Sequence, residues 1–173
     1  TVTKRFHNAL HGKYEIITSE MYELFLETSR QNIEGLAIRG DIVVVHDPQP
    51  IVLIKKKSSM SGNKWIWRCH IDVSSPDEQV WNFLKSFIYQ YDSAIFSAPA
   101  FSQSLPIRQF LISPSIDPLS DKNKDLPQEV IDTVLEKYHI TEDKPIITQI
   151  SRFDYLKDPL GVIEAYRLVK KRI

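Results

Sequence analysis

One cysteine, Cys69, is all the thiol chemistry that the 173 residues carry. It has no partner within the chain, so no internal disulfide framework is expected. An excess of one charge is also missing. The 22 basic and 22 acidic side chains give a formal net charge of zero. That argues against a nucleic-acid binder driven by bulk positive charge. No stretch approaches the roughly 20 apolar residues of a membrane-spanning helix. No basic-then-apolar signal segment opens the sequence. The expectation is a cytoplasmic protein with no nucleic-acid or membrane partner. There is no G-x-G-x-x-G and no G-x-x-x-x-G-K-[ST], so the common dinucleotide and triphosphate loops are not signalled. Internal repeats and low-complexity tracts are absent too.

What is present describes a folded chain. Apolar residues make up 42% and charged residues 25%, outside the disordered range. At about 150 residues per domain the length suits one domain with an appendage, and a packed core is attainable.

The first 40 residues are weakly patterned, with a helix over 20–34 carrying Met21, Leu24 and Phe25 loosely on one side. Asp41 to Val45 (DIVVV) is a β-branched run that reads as a strand buried on both faces. It stops at His46-Asp47-Pro48-Gln49-Pro50, where two prolines forbid continued sheet. Residues 50–54 form another apolar run, and Lys55 to Lys57 reads as a solvated face. Trp65 to Cys69 (WIWRC) is a second strand, with both tryptophans on one parity and therefore on one face. Core is the first reading for them and a sugar-stacking surface the second. Cys69 is a small buried strand residue. Ser75-Pro76-Asp77-Glu78 predicts a helix start, with Ser75 as cap, Pro76 in the first turn and Glu78 closing a capping box. The apolar face Val80, Phe83, Leu84, Phe87, Ile88 and Tyr91 continues that helix. Strands follow at 94–96 and 110–112, then a polar crossing loop over 114–125. A helix over 127–138 carries Val130, Ile131, Val134, Leu135 and Tyr138. A strand over 146–150 follows. Asp158-Pro159 then caps a last helix with Ile163, Tyr166 and Val169. Strands alternating with helices predict an α/β fold, a Rossmann-like, mainly parallel sheet flanked by helices.

Several strands end in polar clusters: His46 and Asp47, then His70 and Asp72, then Ser97, then Ser113, Ser115 and Asp117, then Ser151, Arg152 and Asp154. In a parallel sheet these carboxyl ends share one edge, where ligands bind. The plain alternative is that loops are polar anyway. A metal centre from the two His-Asp pairs has no third or fourth ligand signalled, so none is expected. The segment SRFDYLKDP supplies a guanidinium, Arg152, and an ammonium, Lys157, beside a helix start, a place that suits phosphate. Pairing of these cations with Asp154 and Asp158 is the competing reading.

SRFDYLKDPLGVIEAYRLV resembles the opening of the C-terminal domain of retaining glycosyltransferases of the GT-B fold. GDIVVVHDPQP, KWIWRCHIDVSSP and TKRFHNALHG narrow the resemblance to the trehalose synthases, and it runs through essentially the whole chain. That resemblance implies glucose transfer from a nucleotide sugar to free glucose. It implies that His70 takes the catalytic position facing the transfer site. His46, Asp47, Gln49 and Asp72 would hold the acceptor sugar, and Arg152 and Lys157 the donor diphosphate. No metal and no further cofactor would be needed. The chemistry is charge stabilisation of a departing nucleoside diphosphate beside an oxocarbenium-like sugar.

Against the family's pattern, the glycine-rich first loop and the later pair of glutamates eight places apart are not here. Glu15 and Glu23 share that spacing without the strand context and take no role. The resemblance therefore implies an incomplete GT-B fold. Residues 1–142 would be a partial N-terminal acceptor-side domain, and 143–173 the first strand and helix of the donor-side domain. A truncated enzyme without turnover of its own is expected, with nucleotide sugar and glucose as ligands if binding is retained. A half sheet with a bare apolar face also predicts a homo-oligomer, with strand or helix exchange. One chain of a split enzyme, or a non-enzymatic assembly protein on the same fold, are the alternatives.

Overall fold

The computed structural model describes residues 1–59, 62–141 and 146–172. Packing divides the chain into two compact units, Thr1–Ser115 and Ile116–Ile173. The domain boundary expected between 142 and 143 lies outside the described residues. None of the described helices is long and apolar enough to cross a membrane.

In the first unit, helices α1 (Val2–Leu10) and α2 (Ser19–Glu34) precede strand β1 (Ile42–His46). A 3-10 stretch, Ile51–Ser59, leads to β2 (Lys64–Arg68), and helix α3 (Glu78–Ile88) leads to β3 (Ser93–Phe96). A short 3-10 turn, Pro99–Phe101, precedes β4 (Arg108–Leu111). The four strands pair in chain order, every neighbour parallel. This is the α/β, Rossmann-like arrangement that the alternating pattern predicts.

Register explains which side chains are inside. Val45 lies opposite Trp67, which lies opposite Ala94. The period of two then puts Val45, Trp65, Trp67, Ala94 and Phe96 on one face, and all are buried. Trp81 of α3 meets Trp67 with ring centroids 6.3 Å apart. The three helices converge on aromatic rings: Phe6 of α1 lies 5.1 Å from Phe25 of α2 and 5.9 Å from Phe83 of α3. The buried Tyr91 hydroxyl donates to the Ile51 carbonyl at 2.8 Å, closing the core around the first crossover. Cys69 is buried there too, and burial pushes its thiol up to about 12, so it is protonated and inert at neutral pH.

Three local expectations need correction. β1 is the edge strand and is not buried on both faces: Ile42 and Val44 are exposed. The cap of α3 is Asp77, not Ser75. The Asp77 carboxylate accepts from the Val80 N–H at 3.1 Å, and the helix begins at Glu78. Ser75 lies against Gly12, just past α1, which at φ 77° comes so close that a Cβ there would meet the Ser75 carbonyl oxygen at 2.8 Å. The apolar run over 50–54 opens the 3-10 stretch and buries Ile51, Val52 and Ile54. Lys57 is not simply solvated. Its ammonium donates to the Gln90 carbonyl and to Asp92, both at 2.9 Å.

Asp92 is a junction in its own right. Its second carboxylate oxygen accepts from the Trp65 N–H at 2.7 Å. Partial burial raises its carboxyl, but the Trp65 N–H and Lys57 together outweigh that and hold it below the usual carboxylate range.

The second unit holds α4 (Gln128–Lys137), a 3-10 turn Tyr155–Lys157 and α5 (Pro159–Lys170). The strand expected over 146–150 does not form, and Ile146, Ile147 and Ile150 are exposed. A parallel strand needs a neighbour for its N–H and C=O groups, and among the described residues of this unit there is no other strand. Val130, Ile131 and Val134 of α4, and Tyr138 just after it, are likewise exposed. The α5 cap is as predicted. Asp158, in the left-handed region at φ 44°, accepts from the Gly161 N–H at 3.0 Å. Any Cβ at Gly161 would strike that carboxylate.

Two measurements check these assignments. Asp77→Ala is expected to cost about 1 kcal/mol in urea denaturation, as lost helix caps do, while Ser75→Ala leaves the midpoint near its original value. Because the folded-state carboxyl of Asp92 is lowered, its stabilisation is present above the unfolded-state value and lost as pH falls through the folded one. Asp92→Asn is therefore expected to lower stability at neutral pH and to flatten its decline below about pH 4.

Candidate functional site

Parallel pairing brings the exits of β1 and β2 to one edge, with His46 in register with Arg68. The chain leaves β1 through Asp47, whose φ of 63° is left-handed, a conformation that aspartate tolerates better than most residues. Three bonds hold it. The Asp47 N–H donates to the Arg68 carbonyl at 2.8 Å, its carbonyl accepts from Trp67 Nε1 at 3.1 Å, and its Oδ1 accepts from the His70 N–H at 2.9 Å. Asp47 thereby fastens the end of one strand to the end of the next.

That junction carries His46 and His70 into contact. His46 Nδ1 and His70 Nε2 are 2.8 Å apart. The ring planes differ by 10° and the centroids are 5.1 Å apart. The centroid separation exceeds the N···N distance by about one ring width, so the rings meet edge on and nearly coplanar rather than face to face. One nitrogen donates and the other accepts. His46 Nε2 and His70 Nδ1 take no part in that bond, and both rings are exposed.

The other residues of the expected acceptor site go elsewhere. Asp72 accepts from the Ser74 N–H at 2.9 Å, a tight turn that shapes the approach to α3. Gln49 lines an open groove against α2. So the structure brings together His46, Asp47 and His70, with Asp47 as the fastening, and gives Asp72 and Gln49 separate surroundings.

Arg68 is a residue that the sequence reading passed over. It is only 7% exposed. One terminal nitrogen donates to the Ile112 carbonyl at 2.8 Å and to Ser97 Oγ at 3.3 Å. The other, Nη1, is buried with no partner. Arg68 thus links the ends of β2, β3 and the chain beyond β4. The signal for it was parity. In WIWRC the arginine alternates with the tryptophans and belongs to the opposite face of the sheet.

In the second unit Arg152 lies 3.4 Å from Asp154, with the arginine side chain 74% exposed and the aspartate 14%. Such an exposed pair is weak, so the guanidinium keeps most of its capacity for another anion. Asp154 Oδ1 is buried without a partner. Lys157 ends the 3-10 turn, and its carbonyl accepts from Gln149 Nε2 at 2.6 Å. The Asp158 carboxylate is committed to the α5 cap. Among the described residues no group of three or more His, Cys, Asp or Glu is placed to hold a metal ion.

Comparison with known proteins accords with this arrangement. Residues 1–103 match the family model described as the N-terminal domain of trehalose synthase. The trehalose synthase of Pyrococcus horikoshii is 47% identical over 176 aligned positions, covering 99% of this chain and 42% of that protein. That of Thermococcus litoralis is 43% identical with the same coverage, and that of Rubrobacter xylanophilus is 40% identical over 99% of this chain and 43% of its own length. The chain spans about two fifths of the length of the curated relatives it matches. With its parallel sheet and this similarity along nearly its whole length, the chain belongs to the trehalose synthase family.

Proposed function

We propose that this chain forms the acceptor side of a glucosyltransferase that moves glucose from a nucleoside-diphosphate glucose to free glucose. The observation that carries the reading is the edge-on pair of His46 and His70, held at the exits of adjacent parallel strands by Asp47. Imidazole nitrogens can donate to or accept from sugar hydroxyls. A pair fixed in one plane presents them in a set geometry, which is worth more in a transition state than in solution.

In this reading His70 sits at the reacting sugar and His46 sets its orientation. Asp47 acts through the backbone, by holding the two strand ends. The departing diphosphate gathers negative charge as the glycosidic bond to the donor breaks, and fixed cations lower the barrier to that separation. Arg152 offers a planar fork for two phosphate oxygens, and Lys157 a point charge. The GT-B relationship and the retaining stereochemistry come from the resemblance of SRFDYLKDP and its surroundings. The relatives are more than twice as long as this chain, and we propose that turnover requires the part of their length that it does not span. Exposed Ile42 and Val44 on the edge strand β1 favour self-association of the chain as it stands.

Calorimetric titration tests the two ligand roles separately. Glucose is expected to bind weakly, and His70→Ala to reduce that heat without unfolding the chain. UDP- or ADP-glucose is expected to bind through Arg152 and Lys157, with Arg152→Ala reducing affinity about tenfold, the worth of one charge-assisted contact. Unchanged glucose binding in His70→Ala would refute the acceptor assignment, and trehalose made by this chain alone would refute the need for the remaining length. Light scattering across a concentration series is expected to show species larger than the monomer.

A further inference from the structure

Gln49 follows the His46–Asp47 turn but lines different space. Two adjoining open grooves, of about 610 and 430 Å3, run between α2 and the turn after β1 and share Ser29, Asn32 and Gln49 on their rims. Ile33, Pro50 and Leu53 supply apolar surface to the larger one. Both volumes fall within the roughly 300–1,000 Å3 typical of small-ligand sites.

The lining is selective by what it lacks. In a chain that is 25% charged, no Asp, Glu, Lys, Arg or His side chain lines the larger groove. Phosphates and metal ions call for charged partners, so neither suits this surface. Asn32 and Gln49 each carry two N–H donors and a carbonyl acceptor, and neither side chain makes a hydrogen bond to another described residue. Ser29 Oγ donates to the Phe25 carbonyl at 2.7 Å, which leaves its lone pairs free to accept. Hydroxyl groups need donors and acceptors side by side, and the C–H faces of a sugar ring need apolar contact. The groove offers both.

The reason that it forms is helical spacing. Ser29, Asn32 and Ile33 lie at positions i, i+3 and i+4 and so share one stripe of α2. That stripe meets the Pro48-Gln49-Pro50 turn and the first residues of the 3-10 stretch.

We infer that the groove along α2 is a second binding site for an uncharged sugar, with Asn32 and Gln49 reading its hydroxyls and the Ile33–Leu53 side contacting its ring. This rests on the glucosyl-transfer reading for the class of ligand, since glucose and trehalose are both uncharged. It differs from that reading in place. The site lies beside the His46–His70 edge and requires neither histidine for binding.

Amide-resolved NMR of the full 173-residue chain, titrated with glucose and in parallel with trehalose, tests it. Saturable shifts are expected at Ser29, Asn32, Gln49 and Leu53 with at least one of the two sugars, and the arm that gives the lower dissociation constant identifies which sugar the groove takes. Asn32→Ala and Gln49→Ala are each expected to weaken binding at these positions about tenfold, and His70→Ala to leave it unchanged. Asn32→Asp, which keeps the shape and loses the donors, is expected to weaken it equally. Shifts confined to His46, Asp47 and His70 would overturn the second site while leaving the acceptor assignment standing. Shifts confined to the groove would do the reverse. Silence at the groove with both sugars at high millimolar concentration, or displacement of the sugar by inorganic phosphate, would overturn the inference outright.

Discussion

Asp47 makes the first unit usable as a site. A left-handed residue after a β-branched strand costs roughly 1–2 kcal/mol when it is not glycine. The three bonds made by Asp47, to Arg68, Trp67 and His70, offset that at about 1 kcal/mol each. Glycine would adopt the turn but would lose the carboxylate that holds the His70 N–H. The same residue therefore satisfies the turn and aligns two strand exits. The contact between His46 and His70 is a product of that alignment, not of any attraction strong enough to gather two exposed rings.

The surfaces of the chain are sorted by charge. A groove without charged lining runs along α2, a pair of imidazoles stands at the sheet edge, and the exposed cations Arg152 and Lys157 belong to the second unit. Each comes from a different local cause: helical spacing, strand register and the loop before a capped helix. Arg68 adds a fourth element beneath the edge, a buried guanidinium that joins three strand exits through a carbonyl and a hydroxyl. A buried cation without a carboxylate is costly, so its place in the sheet is maintained by the geometry it secures.

Much of this was legible from residue order. Alternation gave the parity of Trp65 and Trp67, and the strand-end clusters placed His46 and His70 on one edge. The Asp158-Pro159 pair marked a helix start that the structure keeps. The failures have physical causes. DIVVV has the composition of a central strand, but position in a sheet is a tertiary fact, and β1 lies at the edge. Ser75-Pro76-Asp77-Glu78 marks a helix start, but the side chain that takes the Val80 N–H is that of Asp77. The run over 146–150 has the composition of a strand but no described partner strand in its unit. Asn32 and Ser29 went unnoticed because α2 is only loosely amphipathic, and a polar stripe there reads as ordinary solvated surface until the turn after β1 closes over it.

The order of the sheet has a consequence for how the molecule is made. Each strand pairs with the one before it in the chain, so no strand has to insert between two that are already joined. Each pairing closes a single crossover and no longer loop, which limits the entropy cost of closure. A nascent chain could add β2 to β1, then β3 and β4, while the ribosome is still translating the segment that follows. The His46–His70 edge would thus be assembled early, after β2 has docked and before the residues of the Arg152–Lys157 loop have been synthesised.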